Sequence, residues 1–205
     1  MTVTSIEESV RGRYTVKFDD GREVTSNLSA VTDARLFSGR ELSDEEFSAF
    51  KALSGKALYF DKAVALVSSR QLSAFELKKK LMEKGAEAET AEECVSRLTE
   101  LGLLNDESYA LSLARHCVSR GYGVQRLKSE LIRRGISREL WSEAFRLVED
   151  SDDSIDSLIR RKLRNPGDRD ELRKLSASLY RRGYTAAQIH SALQRFDVEA
   201  ENIEE

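Results

Sequence analysis

Proline occurs once in the 205 residues, tryptophan once, and cysteine, histidine and methionine twice each. With only Pro166 to interrupt it, most of the chain can run as helix. Cys94 and Cys117 are too few for a disulfide framework, and both lie inside apolar helical patterns, so they read as buried thiols. His116 and His190 have no cysteine or carboxylate at metal-ligand or triad spacing. Gly121-x-Gly123 follows a helix and lacks the third glycine of a phosphate-cradling loop. No catalytic residue, metal ligand or cofactor is therefore expected, and the chain reads as a non-enzyme. No segment approaches the ~20 apolar residues of a membrane span, and Met1 to Val10 lacks a basic-then-apolar signal pattern. A cytoplasmic protein without a membrane partner is expected. Nor is there an overall excess of positive charge: the net charge is −3 and the pI about 5.7.

What the chain does have is charge of both signs, 34% of residues, beside 40% hydrophobic residues. That composition suits amphipathic helices. Three stretches share the signature Leu-x3-Leu-x3-Gly: Leu77, Leu81, Gly85; Leu127, Leu131, Gly135; and Leu175, Leu179, Gly183. A period of 50 and then 48 residues marks stacked supersecondary units, an architecture that presents a long surface to a long partner. Leucines at i and i+4 share a helix face, and the glycine stands where a left-handed residue ends a helix. Met82, Ile132 and Tyr180 then occupy equivalent positions. After each glycine, Cys94-Val95, Ala144-Phe145 and Ala192-Leu193 align, followed by Leu98, Val148 and Phe196, as the apolar stripe of a third helix. Ser137 and the capping box Thr185 to Gln188 mark starts of that helix, and Ser73 to Glu76 is a capping box one helix earlier in the first unit. First helices are expected over Leu58 to Arg70, Asp106 to Arg120 and Ile155 to Leu163, with Pro166-Gly167 breaking the chain after the last.

Ahead of the repeats, residues 13–25 read as a β-hairpin with Gly21 left-handed in a three-residue loop. That register pairs Val16 with Val24, Lys17 with Glu23 and Thr15 with Thr25. A short helix from Ala30 to Phe37 stopping near Gly39 follows, then a capping box at Ser43 to Glu46 opening a helix with Phe47, Phe50 and Leu53 on one side. The expected architecture is mainly α: three tandem three-helix repeats in an elongated, curved array, behind a small N-terminal α+β module with a β-hairpin. The expected divisions are 1–55 for the module, then 56–105, 106–150 and 151–205 for the repeats.

Lys84, Arg134 and Arg182 each precede a signature glycine. A cation in the last turn is favoured by the helix dipole, so capping alone explains these three. It does not explain the neighbouring arginines or the nine basic against three acidic residues within 160–182. A surface of that kind can track phosphates or an acidic protein groove, or be a solvated helix face. The candidates for partner contact are Arg120, Arg126, Lys128, Arg133 and Arg134 in the second repeat, and Arg160, Arg161, Arg164, Arg173, Lys174, Arg181 and Arg182 in the third. Tyr122 is a further candidate, whereas Tyr180 and Tyr184 read as core.

Leu103-Leu104-Asn105-Asp106-Glu107-Ser108-Tyr109-Ala110 resembles the junction between the first two repeats of RecX-type regulatory proteins. Arg120-Gly121-Tyr122-Gly123, Leu127, Glu130-Leu131 and Arg134-Gly135-Ile136 are similar to that family's central repeat. Ser69-Arg70, Ser73, Glu76-Leu77 and Leu81 are similar to its first, and Gly39 to Phe47 matches a segment of its longer members. The resemblance spans about residues 57–197. One departure is Ala91, where the family has an apolar residue at the start of the third helix and packing is expected to be weaker. The resemblance implies a non-enzymatic, monomeric modulator of RecA, the recombinase that coats single-stranded DNA. Such proteins dock in the filament groove and restrain ATP hydrolysis, strand exchange and repressor autocleavage, with effects on DNA repair and the SOS response. Some bind DNA directly, and a helical-repeat protein acting on single- or double-stranded DNA is the alternative.

Overall fold

A computed structural model describes residues 1–9, 12–150 and 152–196. The N-terminal strands are β1 (Val3–Ser9), β2 (Arg13–Phe18) and β3 (Glu23–Asn27), an antiparallel sheet in the order β1-β2-β3. The hairpin has the expected register, with Val16 opposite Val24, Thr15 opposite Thr25 and Lys17 opposite Glu23. Gly21 sits at φ 84, where a side chain would be strained. β1 was not expected. It carries only Val3 and Ile6 as large apolar residues, without strict alternation, and is a strand because it pairs along the length of β2.

Helix α1 is Leu28–Asp33, shorter and earlier than Ala30 to Phe37. Asn27 caps it by accepting from the Ala30 amide, and Arg35, not Gly39, takes the left-handed turn after it, at φ 51. The helices expected from Ser43 and from Leu58 are one, α2 (Asp44–Ser69), opened by the Ser43–Glu46 capping box. The division expected at 55/56 falls inside it. Gly55 is the only candidate breaker, and a lone glycine costs a helix about 1 kcal/mol without ending it. The remaining helices are α3 (Ala74–Glu83), α4 (Ala88–Glu100), α5 (Asp106–Arg120), α6 (Val124–Arg133), α7 (Trp141–Glu149), α8 (Asp152–Lys162), α9 (Arg169–Arg181) and α10 (Ala186–Gln194). A 3-10 turn, Arg138–Leu140, leads into α7.

Two compact units are formed, one from residues 1–71 with 77–104, the other from 72–76 with 105 onward. In the first, the sheet, α1 and the start of α2 enclose Val3, Val16, Phe18, Phe47 and Phe50. Ser26 and Ser54, both buried, bond to each other at 2.9 Å and satisfy a polar pair beneath the sheet. Ala91 is fully buried, so the small side chain is part of this unit's packed interior. The second unit has two apolar clusters. One is built on Leu113, Leu127, Leu131 and Trp141, the other on Ile159, Leu175, Leu179 and Leu193.

All three signature glycines are left-handed, at φ 91, 64 and 90. Each closes the same motif. The Gly85, Gly135 and Gly183 amides bond to the carbonyls of Met82, Ile132 and Tyr180, and the next amides to those of Leu81, Leu131 and Leu179. These are Schellman caps, and the apolar residue after each glycine (Ala86, Ile136, Tyr184) is buried with them. Tyr184 is thus core as expected. Tyr180 is not: it is 69% exposed, because one residue beyond Leu179 it points about 100° around the helix from the Leu175–Leu179 face.

Candidate partner-binding surface

The middle helices of the second unit meet end to end. α6 starts at Gly123, which offers no side-chain cap, and its first amides are satisfied elsewhere. Gly123 donates to the Arg182 carbonyl and Gln125 to the Gly183 carbonyl, both at 3.0 Å, so the end of α9 caps the start of α6. The backbones approach so closely that a Cβ on Gly123 would lie 2.4 Å from the Gly183 oxygen. The same arrangement recurs one repeat earlier, where the Ser73 hydroxyl donates to the Arg134 carbonyl and Phe75 packs on Gly135.

The cations before Gly135 and Gly183 serve these junctions. The Arg182 guanidinium donates to the carbonyls of Arg120, at 2.9 Å, and Gly121, and so caps the C-terminus of α5. Arg134 donates to the Tyr109 hydroxyl and pairs with Glu76 at 3.3 Å and Glu130 at 3.5 Å. Both side chains thus have a role inside the fold, tying one part of the second unit to another, and that of Arg134 is about a fifth exposed.

Glu130 is held by three arginines, Arg126, Arg133 and Arg134. They line a cleft of about 170 Å³ with Leu113, His116, Cys117 and Tyr122. Burial pushes the Glu130 carboxyl up, but the hydrogen bond from Arg133 and the charges of Arg133, Arg134 and Arg126 outweigh it and hold the carboxyl below its ordinary 4.5. A depressed carboxylate adds stability above its unfolded pKa, and that stability is lost as pH falls through the lower folded value. Glu130→Gln is therefore expected to be less stable than the parent at pH 7, and the gap should close as the pH falls below the ordinary carboxylate value of 4.5. Denaturant melts across that range check it; a gap independent of pH would remove the charge argument.

The cations of the third repeat are placed differently. Arg160 lies 5.7 Å from the Phe196 ring. Arg161, Arg164, Arg173, Lys174 and Arg181 are exposed, and among the described residues their side chains have no ion pair. Lys174 and Arg181, seven residues apart on α9, share a face. In the second repeat Arg120 and Lys128 are also exposed, whereas Arg126 and Arg133 reach solvent while paired to Glu130. Tyr122 is half-buried, with Arg126 and Arg182 each within 6 Å of its ring. His116 and His190 are both exposed, and the His190 ring bonds to Gln194 at 3.1 Å. Both thiols are buried and unpaired. Burial also raises their pKa values, so neither has the character of a nucleophile. No helix among the described residues is long and apolar enough to cross a membrane.

Two family models match the chain: RecX, first three-helix domain, over residues 60–98, and RecX, second three-helix domain, over residues 105–144. The regulatory protein RecX of Xanthomonas axonopodis pv. citri is 34% identical over 141 residues, which span 67% of this chain and 86% of that protein. The chain belongs to the RecX family. The RecX of Vibrio cholerae serotype O1 is 48% identical over a shorter stretch of 69 residues, 34% of this chain and 45% of that protein. A crystal structure of regulatory protein RecX aligns with a TM-score of 0.75 at 21% identity, over 95% of this chain and 98% of that one. RecX from Lactobacillus salivarius aligns at 0.59, also at 21% identity, over 69% of this chain and 96% of its own. These two likenesses establish the fold. The RecX domain models cover the junction residues Tyr109, Arg134 and Gly135, but neither reaches the exposed cations of α8 and α9.

Proposed function

We propose that this chain binds the RecA filament on single-stranded DNA and restrains its ATP hydrolysis, strand exchange and coprotease activity, as a monomer without chemistry of its own. The observation that carries the reading is identity to regulatory protein RecX across 86% of a relative's length. The surface agrees with that reading. Exposed cations spread over two repeats suit many modest contacts rather than one deep pocket, and bridging neighbouring subunits makes affinity depend on the polymer. Arg134 and Arg182 leave the contact set, which becomes Arg120, Arg126, Lys128, Arg133, Arg160, Arg161, Arg164, Arg173, Lys174 and Arg181.

Titration into RecA with single-stranded DNA should slow ATP hydrolysis well below equimolar protein if filament ends are capped, and near equimolar if the groove is lined. Unchanged hydrolysis at equimolar protein, with filaments intact by microscopy, would overturn the proposal. Direct DNA binding is the second reading, favoured by the α8–α9 cations that have no ion pair among the described residues. It requires binding without RecA that falls by orders of magnitude between ~50 and 200 mM salt.

A further inference from the structure

Ile132 and Tyr180 stand at equivalent places in the second and third repeats, each the penultimate residue of its helix, α6 or α9. Both are large, both are more than half exposed, and each is fixed by the same Schellman cap, since its carbonyl accepts from the signature glycine. Met82 holds that place in the first repeat and is 46% exposed. The cap has no need of an apolar residue there: the packed partners are the leucine one residue earlier and the residue after the glycine. A solvent-facing apolar side chain that recurs at one structural position is unexplained by folding. Beside Ile132 and Tyr180 stand the exposed cations Arg133 and Arg181, and Lys128 lies one turn before Ile132. Phe75, 52% exposed and packed on Gly135, borders the same loop as Ile132.

We infer that Ile132 and Tyr180 are equivalent docking knobs, each seated in an apolar hollow rimmed by carboxylates on one subunit of a repeating protein partner. This rests on the filament reading and adds the residues that grip it. Three features select a protein surface over a nucleic acid. Isoleucine and methionine at the equivalent positions offer no ring for base stacking, which single-strand binders rely on. The flanking cations match carboxylates at a rim. A knob repeated in successive units fits a partner that is itself repeated, where each contact raises the effective concentration for the next.

The experiment measures the concentration needed to half-inhibit RecA ATP hydrolysis on single-stranded DNA. Ile132→Ser and Tyr180→Ser are each expected to raise it about tenfold, as loss of one buried anchor would, and the double variant by far more than either. Ile132→Met and Tyr180→Phe should keep full inhibition, because they keep an apolar knob. Melting curves are expected to be unchanged, since both side chains face solvent. Inhibition by the double variant equal to the parent would overturn the inference while leaving the filament reading intact. Loss of single-stranded DNA binding by Tyr180→Ser with RecA absent would also overturn it, by making Tyr180 a stacking platform. A parent chain that leaves RecA unaffected would sink both.

Discussion

Gly183→Ala is expected to lower stability by about 2–5 kcal/mol, roughly 10 °C in melting temperature for a chain of this size. Two costs add at this residue. Its φ of 90 strains any side chain, and a Cβ would lie 2.5 Å from the Arg126 nitrogen and 2.8 Å from the Arg126 Cβ. The obstructing atoms belong to a helix backbone, so relief requires moving the start of α6 and breaking the bonds from Gly123 and Gln125. Two other glycines separate the costs. Gly39 has φ 93 but open space around it, so Gly39→Ala carries the strain alone, about 1–2 kcal/mol. Gly123 has an ordinary φ of −84 yet would place a Cβ 2.4 Å from the Gly183 oxygen, so Gly123→Ala carries the collision alone. Thermal melts of the three variants decide the matter. If Gly183→Ala melts with Gly39→Ala, the end-to-end junction does not hold the second unit together.

Arg134→Ala is expected to cost about 2–3 kcal/mol, while Arg133→Ala leaves stability almost unchanged. The two residues are adjacent and identical in charge, and the difference lies in their surroundings. Arg134 serves Tyr109, Glu76 and Glu130 from a site about a fifth exposed, and its removal strips a half-buried Glu76 of its cation. Arg133 is 67% exposed and, among the described residues, pairs with Glu130 alone, which keeps two other arginines. Arg134→Lys should rescue only part of the loss, because one ammonium cannot reproduce a planar fork that meets acceptors on three sides. Chemical denaturation of the three variants gives the comparison. Equal stability of Arg133→Ala and Arg134→Ala would show that the hub is only a surface ion pair.

The repeats were legible because their signals are local. Two leucines four apart, a glycine after them and a capping serine or threonine set a helix and its ends within eight or ten residues. The β2–β3 register was legible for the same reason. What was hidden depended on partners distant in the chain. β1 is a strand through β2, α2 is continuous because nothing in it is strong enough to stop it, and the turn that closes α1 puts Arg35 at positive φ, where glycine is usual, so that the next residue, Leu36, is buried. In the candidate surface, the alignment of Met82, Ile132 and Tyr180 could be read, but not the face they occupy. Tyr180 was assigned to the core because an aromatic in a helix is more often buried than not. Arg134 and Arg182 carried a plain signal, a cation at a helix end. The sequence could not reveal that the end they satisfy is not only their own.

The start of α6 has one further consequence. Among the three middle helices, α3 is capped by Ser73 and α9 by Asp168, while α6 has no capping side chain and leans on carbonyls from α9. Its opening amides are thus sheltered from solvent only while the following repeat stays in place. The exchange of the Gly123 and Gln125 amide protons with heavy water becomes a clock for detachment of the third repeat, readable in the intact chain and silent to events confined to the N-terminal sheet.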